Sequence, residues 1–270
     1  MPLKMEPKPR NFSGDPEEFR ATLGEHMEEL RGRILRSAVA LTIGGVIGWF
    51  LYPPVLAVFR GVINRAAAHS KVTIDWKYLD LTQPFMLHFK MALYIGLVLA
   101  LPYIVSELWG FIKPGLKPHE IRPFRVVVPI SFVLFAIGIS VGFVILDPTF
   151  QWFLSFASET PGFGIVQQPS ELIFFSLKML LAFGLGFQLP LVVFFLTKIG
   201  LVSPQFLMRY WKQSTVGVFV VAMIVTPSGD PFSMLAMAIP MSLLFFASVL
   251  AANMTTRTKR EENDVLNNLD

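Results

Sequence analysis

Between residues 126 and 146 the chain runs for 21 residues without a charged side chain. Hydrocarbon offers the backbone no hydrogen-bond partner, and about 20 apolar helical residues cross its ~30 Å. A stretch of that length and composition reads as a membrane-crossing helix. It is not alone. Residues 37–59 and most of 85–109 and 174–197 are similarly apolar, with Lys90 and Lys178 near the starts of the last two. Two further segments are less regular: 213–226 offers about 14 residues, and 232–253 is interrupted by Pro240. These two spans are expected to be short or to thin the bilayer locally. The class is all-α and polytopic, with six spans. The 16% charged content fits, since soluble domains carry about a quarter.

Ahead of the first span, residues 1–14 hold three Lys or Arg and three Pro and read as a disordered lead. Asp15-Pro16-Glu17-Glu18 has the form of a helix start. Phe19, Leu23, Met27, Leu30 and Ile34 then recur at helical spacing, which predicts an amphipathic surface helix running into span one. The membrane domain is placed at 15–254, and 255–270 reads as a charged tail expected to lack order. Basic residues fix the orientation. They gather before span one (Arg20, Arg31, Arg33, Arg36), after span two (Lys113, Lys117, Arg122, Arg125), after span four (Lys198, Arg209, Lys212) and in the tail. Residues 147–173 have none, so both termini are expected in the cytoplasm. The first outer loop, with Arg60, Arg65, Lys71 and Lys77, runs against this trend and is outvoted.

The net charge of +4 is accounted for by these flanking residues and needs no nucleic acid. With no cysteine, thiolate chemistry and disulfides are excluded. His26, His69, His88 and His119 show no metal-ligand spacing, and no catalytic motif or phosphate-cradling loop occurs. Neither an enzyme nor a metal or cofactor site is expected.

Four features could carry function. Glu29 sits in a run of charges against span one. It can receive a cationic ligand, or pair locally with Arg33 in the favourable i, i+4 order. Glu120 lies in the Pro- and Gly-rich loop after span two, near Glu107 and on the same side as Glu29. It can serve the same ligand or neutralise Lys117 or Arg122. Gln188, near the centre of span four, is either a polar step in a substrate path or an interhelical hydrogen bond. Asp230, in the outer turn before span six, caps that helix or contacts a partner. A weak parallel repeat relates the run from Lys90-Met91 to Leu101-Pro102 with that from Lys178-Met179 to Leu189-Pro190.

Ordered blocks across the chain resemble the TatC family, the polytopic receptor subunit of the twin-arginine protein translocase. They include His26-x-x-Glu29-Leu30-Arg31-x-Arg33, then Leu108-Trp109-x-Phe111-Ile112-x-Pro114-Gly115-Leu116 with His119-Glu120. Phe183-Gly184-x-x-Phe187-Gln188-x-Pro190, Thr226-Pro227 with Asp230, and Ala238-Ile239-Pro240-Met241 continue the match. The resemblance implies a cup-shaped receptor for twin-arginine signal peptides of folded proteins. It implies partners of the TatA and TatB kind, homo-oligomers within the complex, and transport in the inner membrane driven by the proton motive force. It assigns signal-peptide binding to Glu29 and Glu120, and importance to Arg31 and Phe111. Many family members carry glutamate where this chain has Gln188, so no role requiring ionisation carries over. The alternative reading is a secondary transporter of a small solute, for which the broken spans, Gln188 and the repeat would speak.

Overall fold

The computed structural model describes residues 16–112, 121–158, 165–227 and 229–267. The lead at 1–14, the capping residue Asp15 and Glu120 lie outside them. Helix α1 (Pro16–His69) joins the surface segment and span one into a single helix of 54 residues. At 1.5 Å per residue it is about 80 Å long, more than twice the hydrocarbon thickness. It passes through Pro53-Pro54 without ending, so Arg60 and Arg65 stand on a helix and not in the expected loop.

The physical reason lies partly on the neighbouring helix α2 (Gln83–Ile112). Pro53 has no N–H to give the Trp49 carbonyl. The His88 ring is stacked against both Trp49 and Tyr52, with centroids 4.0 and 3.9 Å away. Its Nε2 lies 3.1 Å from that same carbonyl. A carbonyl only accepts, so Nε2 carries the hydrogen and replaces the missing donor. Further along, α1 and α2 approach backbone to backbone. A Cβ on Gly44 or Gly48 would overlap the backbone of Gly96 or Ala92, so only small residues permit this contact.

Helix α3 (Ile121–Ser158) exceeds the expected span at its outer end and carries Asp147, whose Oδ2 accepts from Gln151 Nε2 at 3.3 Å. Strand β1 (Ile74–Trp76) pairs in parallel with β2 (Ile165–Gln167), Ile74 opposite Ile165. This short clamp ties the chain beyond the end of α1 to the chain beyond the end of α3. Span four is two helices, α4 (Pro169–Gly186) and α5 (Leu189–Lys198). Pro190 cannot donate to the Gly186 carbonyl, and Gln188 N–H turns back to Leu185 O at 2.9 Å.

After α6 (Pro204–Arg209), capped by Ser203, α7 (Trp211–Val225) has only 15 residues, in keeping with the expected short fifth span. The last helix α8 (Pro231–Asn267) differs from expectation at both features read from it. It runs through Pro240, and its apolar part, Pro231–Met254, is 24 residues, long enough to span. It also continues through the tail to Asn267, a stretch without Gly or Pro to stop it.

Helices pack chiefly as α1 on α2, α3 on α4, α5 on α8, α1 on α3 and α7 on α8. Leu87, Met91, Leu146, Ile173, Met179, Phe183, Met237 and Met241 form the dry centre. Ile34, Val39, Ile43, Val46 and Phe50 on α1 stay exposed, Phe50 by 76%. In water such a face would be a liability; in hydrocarbon it is the required surface.

Candidate functional site

The described charges that matter collect where the start of α1 meets the end of α2. One turn of α1 presents Glu29 and Arg33 on one face, four residues apart. Arg36, three residues on, faces α2 from the same helix. Glu107 on α2 is drawn into both guanidinium groups. It receives Arg36 through two parallel bonds, Nε to Oε1 at 2.9 Å and Nη2 to Oε2 at 3.0 Å. Arg33 Nη1 adds a third bond to Glu107 Oε2 at 3.0 Å, and Tyr103 donates its hydroxyl to Oε1 at 2.8 Å. Arg33 also reaches Glu29, whose Oε1 accepts from Nη2 at 2.6 Å and from Nε at 3.1 Å. Glu107 is 12% exposed and Glu29 32%, so the first is sealed by its partners and the second faces the outside.

Beside this network His26 stacks on Phe111, ring centroids 4.3 Å apart, and brings Nδ1 to 3.9 Å from Glu29 Oε2. Phe111 thus helps fix the turn of α1 that carries Glu29. Arg31 is exposed and makes no ion pair among the described residues. The structure therefore brings Glu29 and Phe111 together and adds Arg33, Arg36, Glu107 and Tyr103. In the sequence Glu107 stands out only as a neighbour of Glu120. A stronger signal is there: a carboxylate one helical turn from the inner end of an apolar span needs a cation, and α1 carries two at that depth.

The mid-span amide is built differently. Gln188, at the α4–α5 break, accepts from Ser131 Oγ at 2.8 Å and donates to the Ser131 carbonyl at 3.1 Å. Ser131 on α3 is 2% exposed. Of the two readings left open, the geometry matches the interhelical hydrogen bond. Asp230 accepts from the Ser233 N–H at 2.7 Å and so caps α8. No group of three or more His, Cys, Asp or Glu suited to a metal occurs among the described residues.

Among the described residues, α1, α2, α3 and α8 and the broken α4–α5 pair are apolar and long enough to span, α7 is a shorter sixth, and ionic chemistry gathers at one end; these define a polytopic helical membrane protein. Residues 25–240 match the family profile described as Sec-independent protein translocase protein (TatC). A TatC from Desulforapulum autotrophicum is 34% identical over 258 residues, covering 94% of this chain and 93% of that protein. The Carboxydothermus hydrogenoformans TatC is 32% identical, covering 86% and 92%. A crystal structure described as the twin-arginine translocase receptor TatC superposes with TM-score 0.69 at 29% identity, over 86% of this chain and 99% of that one. The chain belongs to the TatC family. It is a translocase component of the membrane and not an enzyme, which sets aside the small-solute transporter.

Proposed function

We propose that this chain is the receptor that recognises paired arginines in the signal peptides of folded proteins, using Glu29 and Glu120. The observation that carries this reading is the pair of carboxylates, Glu29 and Glu107, holding guanidinium groups between α1 and α2 at 2.6 to 3.0 Å. Carboxylates at that membrane depth bind a planar cation by forked, charge-assisted bonds. An ammonium cannot reproduce that geometry, which gives preference for arginine over lysine. Glu29 is the accessible member, and Phe111 and His26 hold its turn of helix against α2. Glu120, between α2 and α3 in the sequence, supplies the second carboxylate, and Arg31 borders the site.

The signal's apolar stretch would then enter the bilayer alongside the bundle. Both termini lie in the cytoplasm, by the distribution of basic residues. Single-span partners of the TatA and TatB kind join this chain, in several copies, in a complex powered by the proton motive force. Nothing in the sequence cradles a nucleotide to power transport from within. Site-specific crosslinking in membranes tests the reading. A twin-arginine signal peptide should crosslink near Glu29, and a twin-lysine peptide should not. Glu29→Ala or Glu120→Ala should abolish the arginine crosslink. Undiminished crosslinks in the double variant would return both carboxylates to local pairing.

A further inference from the structure

We infer that Arg33 is a specificity-determining residue of this receptor: a built-in guanidinium that occupies Glu29 in the free protein and must be out-competed by the incoming one. The inference rests on the reading of Glu29 as a ligand-binding carboxylate. Arg33 is seated from several sides at once. Glu29 Oε1 takes two of its donors, and Glu107 Oε2 takes a third. The Glu107 carbonyl lies 3.4 Å from Nη1. Gly110 completes the seat, because any Cβ there would overlap the guanidinium of Arg33. The opening between α1 and α2 is thus cut to a guanidinium, not merely to a positive charge.

The two carboxylates depend on Arg33 unequally. Glu107 keeps both bonds to Arg36 and the Tyr103 hydroxyl whether or not Arg33 is present. For Glu29, the described basic side chains within 4 Å are the Arg33 guanidinium and, at 3.9 Å, the His26 ring. Two carboxylates and two guanidinium groups also sum to zero charge. The cluster therefore has no net attraction for a cation until Arg33 releases Glu29. Arg33 can do this by a small swing, since Glu107 retains it through Nη1.

Exchange at Glu29 then sets the discrimination. An arginine that replaces Arg33 restores the forked bonds that are lost. A lysine restores the charge alone, so it must enter at a deficit. Competition by a resident ligand penalises the wrong partner, which is specificity by exclusion. Without Arg33, lysine would have only water to displace.

The test uses fluorescent synthetic peptides with two arginines or two lysines ahead of an apolar run. Dissociation constants are measured on the full chain in lipid nanodiscs. Arg33→Gln should tighten the lysine peptide by about tenfold, the weight of a charge-assisted bond, and the arginine peptide by less, so the preference ratio falls. Gly110→Ala, which leaves the charge unchanged but crowds the seat, should shift the ratio the same way by a smaller factor. An unchanged ratio in folded Arg33→Gln, or equal weakening of both peptides, overturns the inference. Should that variant not fold, Gly110→Ala decides by the same criterion. If the unaltered protein does not prefer arginine and Glu29→Gln changes nothing, the receptor reading itself has failed, a pattern distinct from either result above.

Discussion

Two polar clusters interrupt this apolar bundle, and they are built on opposite plans. At the α3–α4/α5 contact, Gln188 and Ser131 satisfy each other reciprocally, with one donor and one acceptor apiece. At the α1–α2 contact, the bonds are unevenly shared: Glu107 is saturated, whereas Glu29 offers a partly exposed carboxylate to one arginine. The Gln188–Ser131 pair joins two helices at mid-span and so fixes their packing, far from the bilayer edge where a charged ligand arrives. An open carboxylate at the edge of the bilayer can exchange its partner. Burial and depth alone therefore do not mark a functional polar group in a membrane. Unsatisfied bonding capacity, at a place the ligand can reach, does.

The largest break in this comparison is expected from Glu107→Leu. It leaves the exposed Arg36 without a carboxylate and Arg33 with Glu29 alone, and should lower the thermal midpoint in detergent more than either change below. Gln188→Leu comes next. It leaves the buried Ser131 hydroxyl without the Gln188 oxygen, while the Ser131 carbonyl stays within the α3 ladder, and should cost about 1–3 kcal/mol. Adding Ser131→Ala removes the stranded hydroxyl and should recover part of that loss, so the two changes will not be additive in a double-mutant cycle. Smallest is Glu29→Gln. Its partly exposed pair with Arg33 should contribute under about 1 kcal/mol to stability, leaving the thermal midpoint nearly unmoved. That variant should nonetheless lose twin-arginine peptide binding, which separates its role from that of Gln188.

Much of this architecture is legible in the amino-acid sequence. Uncharged runs place the spans, the 15 residues of α7 match the short fifth span, and a carboxylate against the membrane draws attention to Glu29. What escapes a sequence reading is decided between segments. Pro53 and Pro240 stay inside helices while Pro190 accompanies a break, although each lacks the same N–H. For Pro53 the difference is a histidine on α2, a tertiary fact. The three-residue strands Ile74–Trp76 and Ile165–Gln167 are too short to show a pattern and find each other only through the packing of the bundle. Glu107 meets Arg33 across 74 positions, so its partners are invisible to any local rule. Gln188 stands out as a lone mid-span amide, but only its contact with Ser131 chooses between a path and a brace.

The most direct measurement compares Glu29→Gln with the Gln188→Leu/Ser131→Ala pair in the same membranes, scoring signal-peptide crosslinks per folded receptor. The account predicts that the first loses the twin-arginine crosslink while remaining folded, and that the second retains it. A crosslink kept by Glu29→Gln and lost by the mid-span pair would contradict it.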